Sequence, residues 1–345
     1  MTPLRILVIQ TAFLGDAILA ASVLETLHQA FPDARLDFLV RKGHEALFDG
    51  HPYLHEVLIW DKKKNRYKNL WKLLQHIRAQ RYDQVITLQR FASTGFLTAF
   101  SGAKKRIGFD KNPFAFAFTH TKPHELHQGT HEIERNFTLI ENLVQGTLQK
   151  PCLYPTPADY SAVKSYQSER YLCIAPASVW FTKQYPVERW AELVDRVPDT
   201  CTIYILGSPA DVGLGEKLME LANRKGKITN LCGKISFLQS AALMEHATMN
   251  YVNDSAPMHI ASAMNAPVCA VYCSTVPAFG FGPLSEESHI VEIEKPLDCR
   301  PCGLHGHKAC PEGHFRCAKE IRTERLVEML EGGREEERKG GKCIV

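Results

Sequence analysis

The chain has 345 residues, 45% of them apolar and 23% charged, with a formal net charge of +3. That length suits two domains of ordinary size, and the composition is that of a folded globular protein. The small charge excludes the strongly basic domain of a nucleic-acid binder, and no stretch approaches the roughly 18 apolar residues of a membrane-spanning helix. The start, Met1 to Arg5, lacks a signal peptide's apolar region and cleavage site. The expectation is a cytoplasmic protein, peripheral at the inner membrane at most, with its eleven cysteines reduced.

The first elements in chain order are an apolar strand at Arg5 to Gln10, a turn at Thr11 to Asp16 and a helix from Ala17 to Phe31. A strand follows at Leu36 to Val40. The rhythm continues with strands at 56–60, 82–88 and 105–109 and helices at 67–80 and 94–101. A long helix is expected within 126–144, with Ile133, Phe137, Ile140, Leu143 and Val144 as its stripe. Gly146, Pro151, Pro155 and Pro157 then break the pattern, which places a domain boundary in 145–168. The rhythm restarts with strands at 171–176, 202–207, 228–231, 249–253 and 268–272. The helices between them are expected at 187–197, 211–225, 236–246 and 255–264. Two tandem parallel α/β halves are therefore expected, with ligands at the carboxyl ends of their strands.

Three segments at those strand ends could carry chemistry. Gly15-Asp16 follows the first strand; the Asp reads as a helix cap or as a general base, and Gly permits close approach. Ser178 to Trp190 follows the first strand of the second half. Lys183, just before a Pro-started helix, reads as a surface cation or as a partner for an anion. Asn253 to Ala263 ends a strand and opens a helix through Ser255, Ala256 and Pro257. Its first amides can face an anion, and His259 lies one turn in, structural or functional.

These three segments, in this order and spacing, resemble the motifs of the ADP-heptose:lipopolysaccharide heptosyltransferases, glycosyltransferase family 9. The likeness spans roughly residues 4 to 331. It implies the GT-B fold, two facing Rossmann-like domains with parallel sheets and an interdomain cleft: an acceptor-binding domain at 1–155 and a nucleotide-sugar-binding domain at 165–331. It implies inverting, metal-independent transfer of a heptose or related sugar from an ADP-sugar to a lipid A/Kdo core acceptor. Asp16 would be the catalytic base and Lys183 would stabilise the leaving diphosphate. Gly15, Ser178, Lys183, Asp254, Ser255, Ala256 and His259 would form the donor site, although Ala256 stands where the family often has Gly. Phe91, Phe96, Lys104, Lys105, Arg106 and Lys111 are candidates for acceptor contact.

Cys299, Cys302, Cys310 and Cys317 crowd one segment, with His305, His307 and His314 between. The readings are a structural zinc site or a reduced Cys-rich loop, and neither enters catalysis. Residues 332–345 are charged and Gly-rich and read as a disordered tail. The basic run Lys62 to Lys68 reads as a solvated loop or as contact with an anionic surface. Two other functions fit the same pattern: a GT-B-type nucleotide-sugar epimerase, and a non-catalytic zinc-stabilised nucleotide-binding protein in which Asp16 is only a cap.

Overall fold

A computed structural model describes residues 3–330 apart from 126–128, 168 and 225. The expected tail at 332–345 lies outside the described residues. The chain divides into two compact units between Tyr154 and Pro155.

The first unit contains β1 (Arg5–Gln10), α1 (Leu14–Ala30), β2 (Arg35–Arg41), β3 (Leu54–Trp60), α2 (Arg66–Gln80), β4 (Gln84–Thr87), α3 (Ala92–Ala99), β5 (Lys105–Phe109), β6 (His120–Lys122) and α4 (Glu132–Phe137). Its six strands are hydrogen-bonded in the order β3-β2-β1-β4-β5-β6. All pairs are parallel, with Ile9 opposite both Leu39 and Thr87. Five consecutive residues of β1, Ile6 to Gln10, are buried, which is why the strand is continuously apolar up to its polar last residue: helices cover both faces. Leu7, Ile9, Leu39, Trp60, Leu74, Ile77 and Val85 form the core of one face.

The second unit contains α5 (Pro157–Val163), β7 (Tyr171–Ala175), α6 (Val187–Arg196), β8 (Thr202–Ile205), α7 (Val212–Leu221), β9 (Ile228–Asn230), α8 (Phe237–Glu245), β10 (Met249–Asn253), α9 (Ala256–Ala263), β11 (Val268–Tyr272), β12 (Ser288–Glu292) and α10 (Arg316–Lys319). Its parallel sheet runs β12-β11-β10-β7-β8-β9. Renumbered from β7, that is the same 3-2-1-4-5-6 order as in the first unit. Each sheet therefore has a switch point between its first and fourth strands, β1/β4 and β7/β10, where ligands of this fold bind.

Three expectations need correction. The helix expected within 126–144 is only α4. After Phe137 the chain continues as turns, with Ile140 N–H donating to Phe137 O at 2.9 Å. Thr138 Oγ1 donates back to Arg135 O at 2.8 Å and competes with the helical pattern. Ile133 and Ile140 are nonetheless buried, so their spacing marks packing rather than a continuous helix. The boundary stretch holds α5, started by Thr156, whose hydroxyl accepts from Asp159 N–H while the Asp159 carboxylate accepts from Thr156 N–H. The helix expected to reach 225 ends at Leu221.

Candidate functional site

In the second unit, the segments expected to bind a donor meet at the β7/β10 switch point. After β7 the chain passes Ser178 and makes a single turn, Phe181–Lys183. Gln184 Nε2 donates to Ser178 O at 2.6 Å and folds this loop on itself. After β10, Asn253 ties the two loops together: its side-chain oxygen accepts from Tyr185 N–H at 2.9 Å, and its amide nitrogen donates to Pro176 O at 2.8 Å. Lys183 Nζ then lies 2.7 Å from Asp254 Oδ2, with both side chains largely buried. The same oxygen accepts from Thr275 Oγ1 at 2.6 Å.

Ser255 is the N-cap of α9, extended at φ −159° and ψ 175°, and its side chain makes no capping bond. Ala256 and Pro257 form the first turn, and His259 is buried one turn on. Pro257 has no N–H and Met258 N–H donates to Ser255 O at 3.0 Å, so the N–H groups of Ser255 and Ala256 are the ones this helix start offers a partner, beside an ammonium group held in place by a carboxylate. A diphosphate has the charge and the acceptor oxygens to engage both. Thr275, which follows β11 at the same sheet end, was not expected from sequence. Its position after a strand was the available signal.

The Cys-rich segment packs on the Lys183 turn. Thr182 Oγ1 accepts from His307 N–H at 2.7 Å, and Thr182 N–H donates to His307 O at 3.1 Å. Ser274 Oγ donates to Thr182 Oγ1 at 3.0 Å, and Cys302 N–H donates to Ser274 O at 2.9 Å. Gly306 adopts φ +76°, and a Cβ there would lie 2.9 Å from Thr182 Oγ1. Cys299 Sγ lies 3.9 Å from His314 Nε2. Burial, reinforced by neighbouring thiols, pushes Cys302 up and Cys317 up to about 12. Sulfurs around one tetrahedral zinc would stand about 3.8 Å apart. Among the described residues, however, the only set of three or more His, Cys, Asp or Glu whose ligand atoms all lie within 4.8 Å is Asp37, His55 and Glu56. There Arg35 already supplies the cation, 3.0 Å from Asp37. As placed, the four cysteines do not close around an ion.

In the first unit, α1 begins at Leu14, so Gly15 and Asp16 occupy its first turn rather than a preceding loop. Asp16 Oδ2 accepts from Phe13 N–H at 3.0 Å, so it closes the helix start from the third helical position, while Phe13 and not Asp16 is the N-cap. The loop before it is held across the β1/β4 switch point, where Thr11 Oγ1 donates to Gln89 Oε1 at 2.6 Å. Lys62 Nζ donates to Thr11 O at 2.6 Å and sits 4.8 Å from the Trp60 ring. Burial first, then Arg41 and Arg66, lowers its pKa to about 8. Lys62 therefore separates from the exposed remainder of the basic run, Lys63 to Lys68.

Sequence reasoning also missed Glu132 of α4, which is buried. Its Oε2 accepts from Arg135 Nη2 at 2.8 Å and Nε at 3.1 Å. Burial raises its pKa to about 7, against the pull of Arg135, and the nearby Asp16 carboxylate adds to the rise. The apolar stripe drew attention to Ile133 and concealed the charged pair beside it.

Two Rossmann-type units in tandem, each with its switch point, define the class by architecture: a protein of the GT-B fold. The family model of glycosyltransferase family 9 (heptosyltransferase) matches residues 70–311. The chain belongs to that family. Lipopolysaccharide heptosyltransferase 3 of Escherichia coli is 26% identical over 281 residues, covering 76% of this chain and 82% of the relative. The structure of E. coli ADP-heptose lps heptosyltransferase II superposes with a TM-score of 0.80 at 21% identity, covering 95% of this chain and 98% of that one. The family 9 glycosyltransferase of Veillonella parvula gives 0.81 at 22% identity, with 95% and 96% covered. Among the described residues, no helix is long and apolar enough to cross a membrane.

Proposed function

We propose that this glycosyltransferase transfers a heptose from an ADP-sugar to a lipopolysaccharide inner-core acceptor, with inversion and without a catalytic metal. The relatives' names supply the sugar, the nucleotide and the acceptor class. One observation supports the donor site above all: the Lys183–Asp254 pair in front of the α9 amides.

In this reading the first unit takes the acceptor and the second the donor, at the cytoplasmic side of the membrane. Asp16 removes the proton from the acceptor hydroxyl. That oxygen forms its bond to the anomeric carbon as the bond to the diphosphate breaks, and the electron pair leaves on ADP. The transition state is oxocarbenium-like. The leaving charge meets Lys183 and the backbone N–H groups at Ser255 and Ala256. Gly15, Ser178 and His259 are assigned to donor binding.

The test is ADP release by purified protein given ADP-heptose, with and without a Kdo-lipid A acceptor. Release that depends on the acceptor, persists in EDTA and yields a product of inverted anomeric configuration supports the reading. Turnover of donor alone to an isomer would assign an epimerase instead. Binding of donor without any turnover would leave a nucleotide-binding protein.

For the Cys segment we propose a structural zinc whose binding draws the four thiols together. One zinc per purified chain, lost in Cys302→Ser, supports it. Metal-free protein of unchanged stability refutes it.

A further inference from the structure

Seven of the seventeen phenylalanines fall within residues 91–118. Only Phe109 among them is buried. Phe116 is 84% exposed, Phe91 61% and Phe100 45%. The rings form a connected surface: Phe96 to Phe100 at 5.1 Å, Phe100 to Phe114 at 6.1 Å and Phe114 to Phe116 at 6.2 Å between centroids. A row of touching, solvent-facing aromatics on a water-soluble surface marks an interaction site.

The charge around it has one sign. Residues 90–122 hold six Lys or Arg (Arg90, Lys104, Lys105, Arg106, Lys111, Lys122) and one acid, Asp110, a net of +5 against +3 for the whole chain. Arg106 spends its guanidinium on the carbonyls of Ala117 and Ala103, Lys104 pairs with Asp83 and Lys122 with Glu141. Arg90, Lys105 and Lys111 are exposed and pair with no carboxylate among the described residues. Aromatic side chains partition to the interface between water and acyl chains, and cations near them gain from anionic headgroups. A second copy of this face would bring the cations Arg90, Lys105 and Lys111 against the same three, which disfavours self-association.

We propose that this face, Phe100 and Phe116 with their basic rim, docks the first unit on an anionic phospholipid bilayer. The inference stands on the patch and not on the roles given to Asp16 or Lys183. It goes beyond the proposed transfer by naming the surface that meets the membrane.

The experiment is co-sedimentation of the full chain with phosphatidylglycerol/phosphatidylcholine vesicles and with phosphatidylcholine vesicles alone. Binding is expected to the anionic vesicles only and to be lost at 1 M NaCl, where screening shortens to about 3 Å. Phe100→Ser/Phe116→Ser should weaken the partition about ten-fold or more. Phe116→Ser alone, at the most exposed ring, should weaken it in part without altering thermal unfolding. Transfer to a soluble, delipidated acceptor should be unchanged in both variants, which separates this inference from the proposed reaction. Equal binding to neutral vesicles, or unchanged binding by the double variant, would overturn it. So would a concentration-dependent dimer that Phe116→Ser abolishes, because the face would then belong to a second copy.

Discussion

Lys183 and Asp254 face each other at 2.7 Å across the two loops that end β7 and β10. In the proposed reaction the pair presets the position of the cation that meets the diphosphate. Thr275, donating to the same Asp254 oxygen, keeps the carboxylate from swinging away. In that reading Asp254 acts on the donor through Lys183, by fixing where its ammonium stands.

Replacing Lys183 by Met should lower kcat about 10²- to 10³-fold, the usual cost of losing a preset electrostatic group. Asp254→Asn should lower kcat less, because Lys183 keeps its charge and loses its orientation. Steady-state kinetics with ADP-sugar decides. Near-normal kcat in Lys183→Met would exclude a role at the leaving group.

Gly306 couples the Cys-rich segment to the same lysine. Alanine there would sit at positive φ, with its Cβ 3.0 Å from Lys183 Cγ. We expect Gly306→Ala to cost about 1–2 kcal/mol of stability and to raise KM for the ADP-sugar. Thermal unfolding and donor titration check both effects. A destabilised variant with unchanged KM would show that the segment supports the fold but not the site.

Glu132 gives the first unit a pH signature. Its folded pKa of about 7 lies above the ordinary 4.5, owing first to burial and with a further push from Asp16. Between those values the native state holds a proton that the unfolded chain has lost, so stability should fall as pH rises through this window. Glu132→Gln should flatten that slope and remove from the kcat/KM profile any step near pH 7, where the charge appearing on Glu132 acts on the Asp16 carboxylate. Urea titrations at several pH values and a pH–rate profile provide the readouts. An unaltered profile would place Glu132 outside the influence of the base.

Much of this was legible in sequence, because parallel α/β folds mark buried strands as short apolar runs and place their functional loops just after them. Strands Lys105–Phe109, Met249–Asn253 and Val268–Tyr272 appear with the expected bounds. The Lys183 and Asp254 segments arrive at one switch point as anticipated. What stayed hidden depends on tertiary contact. β6 has three residues and β12 is half-exposed, so neither shows a buried run. α4 stops where Thr138 bonds back to the chain, although the apolar spacing continues. Thr275 and Glu132 are ordinary residues in a one-dimensional reading, and only their neighbours give them a task.

Asp16 is either a base or only a partner of the helix start, and one substitution separates the two. Asp16→Asn keeps an oxygen able to accept from Phe13 N–H but cannot take a proton at neutral pH. Its stability should change by no more than about 1 kcal/mol, the helix-dipole share of the lost charge, with donor binding retained. The decisive measurement is the rate of heptose transfer to a Kdo-lipid A acceptor by this variant. We expect a loss of about 10²- to 10⁴-fold; a rate close to that of the unaltered protein would contradict the proposal.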